Sequence, residues 1–173
     1  GTTYYCGHVY HFKDHNYNCT GSHGDISITR ALQVSCNIYF YKLSEELTID
    51  RISDYATRFG LGQKTGLETG DAAGHLSNQE TFKELGADWT VGQVAIGQGE
   101  WAVTPLQMAN VACTIANDGT RYVPHLVDSI WDYNHNTCLE KVQPEVAEQI
   151  TPLNDSVFQL VENGMIAASR NNF

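Results

Sequence analysis

Apolar residues recur at helical spacing in several stretches of the chain. Ile28, Ala31 and Leu32 fall at i, i+3 and i+4, and Phe40, Leu43 and Leu47 at i, i+3 and i+7, each set on one helix face. Between the two runs lies a small polar tripeptide, Ser35-Cys36-Asn37. Thr48 reads as the N-cap of a further helix, with Asp50 in its first turn and Ile49, Ile52, Ala56 and Phe59 on a common face. Gly60 ends that helix, as a C′ glycine commonly does. Thr104-Pro105 opens the clearest helix, with Thr as cap and Pro at N1. Leu106, Ala109, Ala112 and Ala116 form its small-residue face, and Asn117-Asp118-Gly119 terminates it. Leu153, Val157, Leu160 and Val161 mark a final helix running toward Gly164-Met165.

Alternation and turn residues predict strands elsewhere. Tyr122 to Val127 reads as extended, with Pro124 suiting an edge. Ser129–Tyr133 and Thr137–Val142 read as a hairpin across Asn134-His135-Asn136. Residues 67–90 are rich in loop formers.

Residues 1–24 follow neither pattern. They hold few aliphatics but many aromatics and histidines, with two cysteines, Cys6 and Cys19. Little aliphatic surface is available to pack such a segment, so a metal or a disulfide would supply what packing does not. Cys6, Cys19 and His23 fit a structural zinc site, with a fourth ligand from His8, His11, His15 or Asp14. A Cys6–Cys19 disulfide and free thiols are the alternatives. Cys36 and Cys113 sit in apolar, helical surroundings and read as buried small hydrophobes. This divides the chain into a Cys/His-rich segment, 1–24, and a remainder, 25–173.

Composition narrows the class. Hydrophobic residues at 42% and charged residues at 17% describe a globular chain, not a disordered one, and 173 residues suffice for one domain with a real core or two small lobes. A net charge of −10 leaves no basic patch to neutralise phosphates, so no nucleic-acid partner is expected. A start without Met and an end in mid-pattern suggest an excised piece of a longer protein.

Chemistry centres on the tripeptide. Ser35 and Asn37, two apart where helices join, offer a hydroxyl that can relay a proton and an amide that can grip a peptide carbonyl. Ser-x-Asn is also the second of three boxes in penicillin-recognising serine enzymes, between Ser-x-x-Lys and Lys-Thr-Gly. Other residues follow in the same order: His23-Gly24, Ala31-Leu32, Phe40-Tyr41, Phe59-Gly60-Leu61-Gly62 with Thr65-Gly66, Gly97-Gln98-Gly99, and Val103-Thr104-Pro105-Leu106-Gln107-Met108-Ala109. Together they resemble the class B penicillin-binding proteins, the cell-wall D,D-transpeptidases, over nearly the whole chain.

The resemblance implies an α+β fold, mostly the helical lobe of a transpeptidase domain with part of its helix-flanked antiparallel sheet. It implies acyl transfer between peptidoglycan stem peptides, with β-lactams as mimics of the D-Ala-D-Ala end. Ser35 would help carry a proton to the leaving group, and Asn37 would donate its side-chain amide to the acyl-side carbonyl. No catalytic cofactor is implied. Implied partners are cell-wall assembly proteins of the elongation or division machinery, at the extracytoplasmic face of the bacterial membrane, with the parent anchored by an N-terminal helix. Gly97-Gln98-Gly99 would pack closely under the active site.

Departures qualify this. No Ser-x-x-Lys occurs in the 173 residues, and Lys64-Thr65-Gly66 follows a helix stop and a Gly-x-Gly turn instead of lying on a core strand. It reads as a decoy of the third box. The chain alone is therefore expected to be inactive. Alternatives from other classes are a non-catalytic, zinc-stabilised binding module and a degenerate homologue.

Overall fold

The computed structural model describes residues 1–77, 80, 90–154 and 156–170. The chain opens with a long antiparallel hairpin, β1 (Thr3–Phe12) and β2 (His15–Ser27), paired from Thr3↔Ser27 to Phe12↔His15. Two helices follow, α1 (Ile28–Gln33) and α2 (Asn37–Arg58). After them come α3 (Thr90–Ala95), α4 (Pro105–Ala116), β3 (Thr120–Tyr122), β4 (Ser129–Trp131), β5 (Cys138–Lys141), β6 (Val146–Gln149) and α5 (Ser156–Ser169). The described strands form two-stranded antiparallel pairs: β1 with β2, β3 with β6, β4 with β5.

The hairpin packs on α1 and α2. Cys6, Tyr17, Cys19 and Ile26 from the hairpin share one core with Ala31, Cys36, Ile38, Tyr39 and Tyr41. Tyrosine takes the place of the missing aliphatics here: Tyr4 meets Tyr39 edge-on at 5.1 Å, and Tyr17 meets Tyr41 at 4.4 Å between ring centroids. Residues 1–24 are thus a packed strand pair, which period-two reading missed because its outward positions are also aromatic. β2 runs through residues 24 and 25, where the composition changes.

The helix predicted from Thr48 and the run before it are continuous except at Thr48, whose backbone is left-handed and extended (φ 64°, ψ 158°). That kink lets the Phe40–Leu43–Leu47 face and Ile52 both line an apolar cleft closed by Ala95 of α3. Gly60, at φ 89°, stops the helix as expected, and the Leu61 N–H caps the Ala56 carbonyl.

α4 begins at the predicted Thr104 cap, but buries a different face. Ala109, Ala112 and Ala116 are exposed; Gln107 and Thr114 are buried, with Asn110 half-buried between them. The reason is polar. Gln107 completes a capping box with Thr104, and its amide nitrogen donates to the Gln63 and Ala73 carbonyls at 2.7 and 2.8 Å. Asn110 donates to the Tyr122 carbonyl at 3.2 Å. α5 crosses α1 at Gly164, where an added Cβ would lie 2.7 Å from a Leu32 methyl. Gly97-Gln98-Gly99, expected to pack beneath a site, is exposed. Its glycines take positive φ, as a surface turn requires. Much of the loop-rich stretch 67–90 lies outside the described residues.

Two outcomes follow from this packing. Gln107→Ala strands two carbonyls and a helix cap, and should lower the unfolding free energy by about 2–4 kcal/mol in denaturant titration. The second concerns alkaline pH. The Tyr4 and Tyr10 hydroxyls donate to Glu46 and Glu45 on α2. Burial first, then these carboxylates, push the Tyr10 hydroxyl up to about 12 and Tyr4 upward likewise. Folded values above the unfolded ~10 stabilise fully below that pH and lose the contribution as pH rises through ~10 to 12. Thermal melts should therefore fall more steeply over that range in the native chain than in a Tyr4→Phe/Tyr10→Phe variant. Parallel curves would contradict the assignment.

Candidate functional site

The turn between α1 and α2 is made by hydrogen bonds from the Ser35 N–H to the Leu32 carbonyl and from the Cys36 N–H to the Ala31 carbonyl. Ser35 takes a left-handed backbone (φ 50°) that swings its side chain to the exposed surface. Cys36 then points the other way and is completely buried. Asn37, half-buried at the start of α2, donates its side-chain amide to the Asn18 carbonyl of β2 at 3.2 Å. The hairpin therefore braces the tripeptide directly.

Beneath the turn, four side chains converge. The strand register slips here: the seven residues from Asn18 to Gly24 oppose the four from Cys6 to Val9. The bulge turns Cys19 and His23 toward Cys6, which no regular ladder would do. The Sγ of Cys6 and of Cys19 lie 3.5 and 3.6 Å from His23 Nδ1, and Cys19 Sγ lies 3.8 Å from Cys36 Sγ. The ligand atoms of Cys6, Cys19, His23 and Cys36 all fall within 4.8 Å of one another. His8, His11, Asp14 and His15 are exposed and outside this group; His11 bonds Asn16 near the hairpin tip.

Cys36 is the member of this group that sequence reasoning missed. Its apolar neighbours and helical setting hid it, and no spacing rule joins it to His23. All five cysteines are free, so Cys6 and Cys19 are not bonded; the Cys6 thiol donates to the Gly21 carbonyl at 3.4 Å.

Local electrostatics divides the sulfurs. Burial raises the Cys19 thiol, but N–H groups of Gly21, Ile38 and Asn37 outweigh it and hold it below the ordinary thiol range. Two of those donors belong to the first turn of α2, where free N–H groups favour an anion. Burial pushes the Cys36 thiol up, aided by Cys6 and Cys19. A Cys3His group with one sulfur already inclined to thiolate has the composition of a structural metal site.

Lys64-Thr65-Gly66 lies in an irregular segment, not on a strand, and the Thr65 N–H donates to the Asp71 carboxylate at 2.7 Å. Thr65, through its side chain and its backbone N–H, holds Asp71 below the usual carboxylate range. The segment takes no part in the Ser35–Asn37 site.

Known proteins resemble this chain in sequence and fold. A family model of the penicillin binding protein transpeptidase domain matches residues 2–172. The peptidoglycan D,D-transpeptidase MrdA of Escherichia coli K12 is 36% identical over 112 residues, 62% of this chain and 18% of that protein. Pseudomonas aeruginosa PBP2, solved in complex with WCK 5153, superposes with a TM-score of 0.76 at 27% identity, covering 98% of this chain and 40% of that one. PBP2 of Helicobacter pylori, solved in complex with MreC, gives a TM-score of 0.76 at 25% identity over 96% of this chain and 30% of that one. The chain spans about a fifth of the length of the curated relatives it matches. With nearly every residue inside the family match and an α+β fold in common, the chain belongs to the penicillin binding protein transpeptidase domain family.

Proposed function

We propose that this chain contributes the Ser-x-Asn portion of a serine-type peptidoglycan D,D-transpeptidase active site. The observation that carries the reading is the α1–α2 turn, which exposes Ser35 while β2 fixes Asn37. Ser35 would pass a proton between a nucleophile and a leaving amine, and Asn37 would hold the acyl-side carbonyl of a stem peptide or β-lactam. No step of this needs a cofactor. The acylated serine would come from a Ser-x-x-Lys box, which these 173 residues do not contain. For the whole protein the partners would be cell-wall assembly proteins of the elongation or division machinery, at the extracytoplasmic face of the bacterial membrane; the complex of Helicobacter pylori PBP2 with MreC supports a protein partner. No helix among the described residues is long and apolar enough to cross a membrane.

Cys6, Cys19, His23 and Cys36 would hold a structural zinc ion. The donor set is right, and so are the separations. Zinc bonds of about 2.3 Å to sulfur and 2.0 Å to nitrogen imply tetrahedral edges of ~3.8 Å between sulfurs and ~3.5 Å between sulfur and nitrogen. The observed 3.8, 3.5 and 3.6 Å match those edges. The ion would tie β1, β2 and the tripeptide together, which makes it a staple and leaves it without a catalytic part.

The purified chain should bind one zinc, about tenfold or more weaker in Cys19→Ser and in Cys36→Ser and unchanged in His8→Ala, by elemental analysis with competing chelator. Unchanged content in Cys36→Ser would exclude the four-ligand site. For the reaction, a fluorescent β-lactam should not label the 173-residue chain; stoichiometric labelling would refute the assigned role. In a full-length protein, Asn37→Ala should slow acylation by about a hundredfold, as removal of a carbonyl-holding amide does.

A further inference from the structure

We propose that Cys19 and Cys36 form a disulfide whenever the cluster holds no metal, so that metal and disulfide are alternative fastenings of one joint. The exclusivity rests on the metal reading above; the choice of pair does not. Sequence spacing alone would favour Cys6–Cys19, the shorter loop. The structure points elsewhere. Cys19 and Cys36 sulfurs stand 3.8 Å apart. The Cys6 thiol also neighbours Cys36 and His23, but its proton is directed to the Gly21 carbonyl at 3.4 Å, away from both other sulfurs.

The backbone around the pair is already fastened. The Asn37 amide bonds the Asn18 carbonyl, so residues 18 and 37 are cross-linked immediately beside 19 and 36. Closing the sulfurs to the ~2.05 Å of a disulfide calls on side-chain rotation with little backbone travel. Cys36 is the N-cap of α2, in extended conformation (φ −81°, ψ 103°), and so lies outside the rigid helical turns. Cys19 sits on the bulged part of β2, where ladder pairing is interrupted.

The oxidant would be an external disulfide, either a small-molecule disulfide or an exported dithiol oxidase. The Cys19 thiolate attacks one sulfur of it, that bond breaks, and one thiol leaves with a mixed disulfide formed at Cys19. The Cys36 thiolate then attacks the Cys19 sulfur and expels the second thiol. Two cysteine sulfurs lose two electrons, the external disulfide gains them, and the two cysteine protons end on the departing thiols. Both cysteines are buried, at 5% and 0% exposure, so exchange needs the bulge to open. A bound metal would close the bulge and occupy both sulfurs at once. Proteins of the bacterial envelope meet an oxidising compartment, where a preassembled thiol pair without metal does not stay reduced.

The test uses the full chain, reduced, stripped of metal with chelator or loaded with zinc, then exposed to oxidised glutathione, alkylated and mapped without reduction. The expected product is a Cys19–Cys36 cross-link, about tenfold or more over Cys6–Cys19, formed about tenfold or more slowly in the zinc-loaded sample. Cys6→Ser should keep the link. In guanidinium the preference should vanish, since the shorter Cys6–Cys19 loop is then favoured. A dominant Cys6–Cys19 or Cys6–Cys36 link, no link, or equal rates with and without zinc would overturn the proposal. So would a chelated chain that has lost its far-UV circular dichroism and pairs without preference. Zinc content of the same reduced sample separates the two readings: a Cys19–Cys36 link with no zinc bound removes the metal and the exclusivity, whereas bound zinc with no link removes only the disulfide.

Discussion

The structure depends on the meeting of a bulged hairpin with the joint between two helices. Three sulfurs and one imidazole come together there because β2 carries extra residues opposite Cys6 and because the α1–α2 turn drives Cys36 inward. On an ordinary strand Cys19 and His23, four residues apart, would stand about 13 Å from one another. An uninterrupted helix would leave Ser35, Cys36 and Asn37 on a rotating spiral. Each irregularity makes sense only in the presence of the other.

In the proposed reading, function hangs on the same joint. Ser35 faces outward because its backbone is left-handed, and the turn is held on its inner side by Cys36 and on its flank by the Asn37–Asn18 hydrogen bond. A proton relay and a carbonyl-gripping amide demand positions fixed to a fraction of an ångström. Fastening the tripeptide through its middle residue does that without placing the fastener in the path of substrate. In the proposed reading, metal chemistry and acyl transfer meet only through rigidity.

Much of this was legible in the chain. Helical periodicity located α1, both halves of α2 and α5, and Thr104-Pro105 marked the start of α4 because capping is a local, sequence-encoded interaction. The β4–β5 hairpin announced itself through Asn134-His135-Asn136. Three features were not legible, for physical reasons. β1 and β2 build their core from tyrosine and cysteine, and their exposed positions include Tyr5, His8, Val9 and His11, so alternation is blurred. Gln107 is a buried glutamine whose partners, Gln63 and Ala73, lie more than thirty residues away in sequence. Cys36 looks like a packing residue because it is one, and its second capacity depends on a strand bulge that no local pattern encodes.

The claim that these four side chains form one metal-holding joint is tested most directly by zinc K-edge X-ray absorption on the purified chain. The account predicts a first shell of three sulfurs at about 2.3 Å and one nitrogen at about 2.0 Å. A shell of oxygen and nitrogen alone, or one with fewer than three sulfurs, would contradict it.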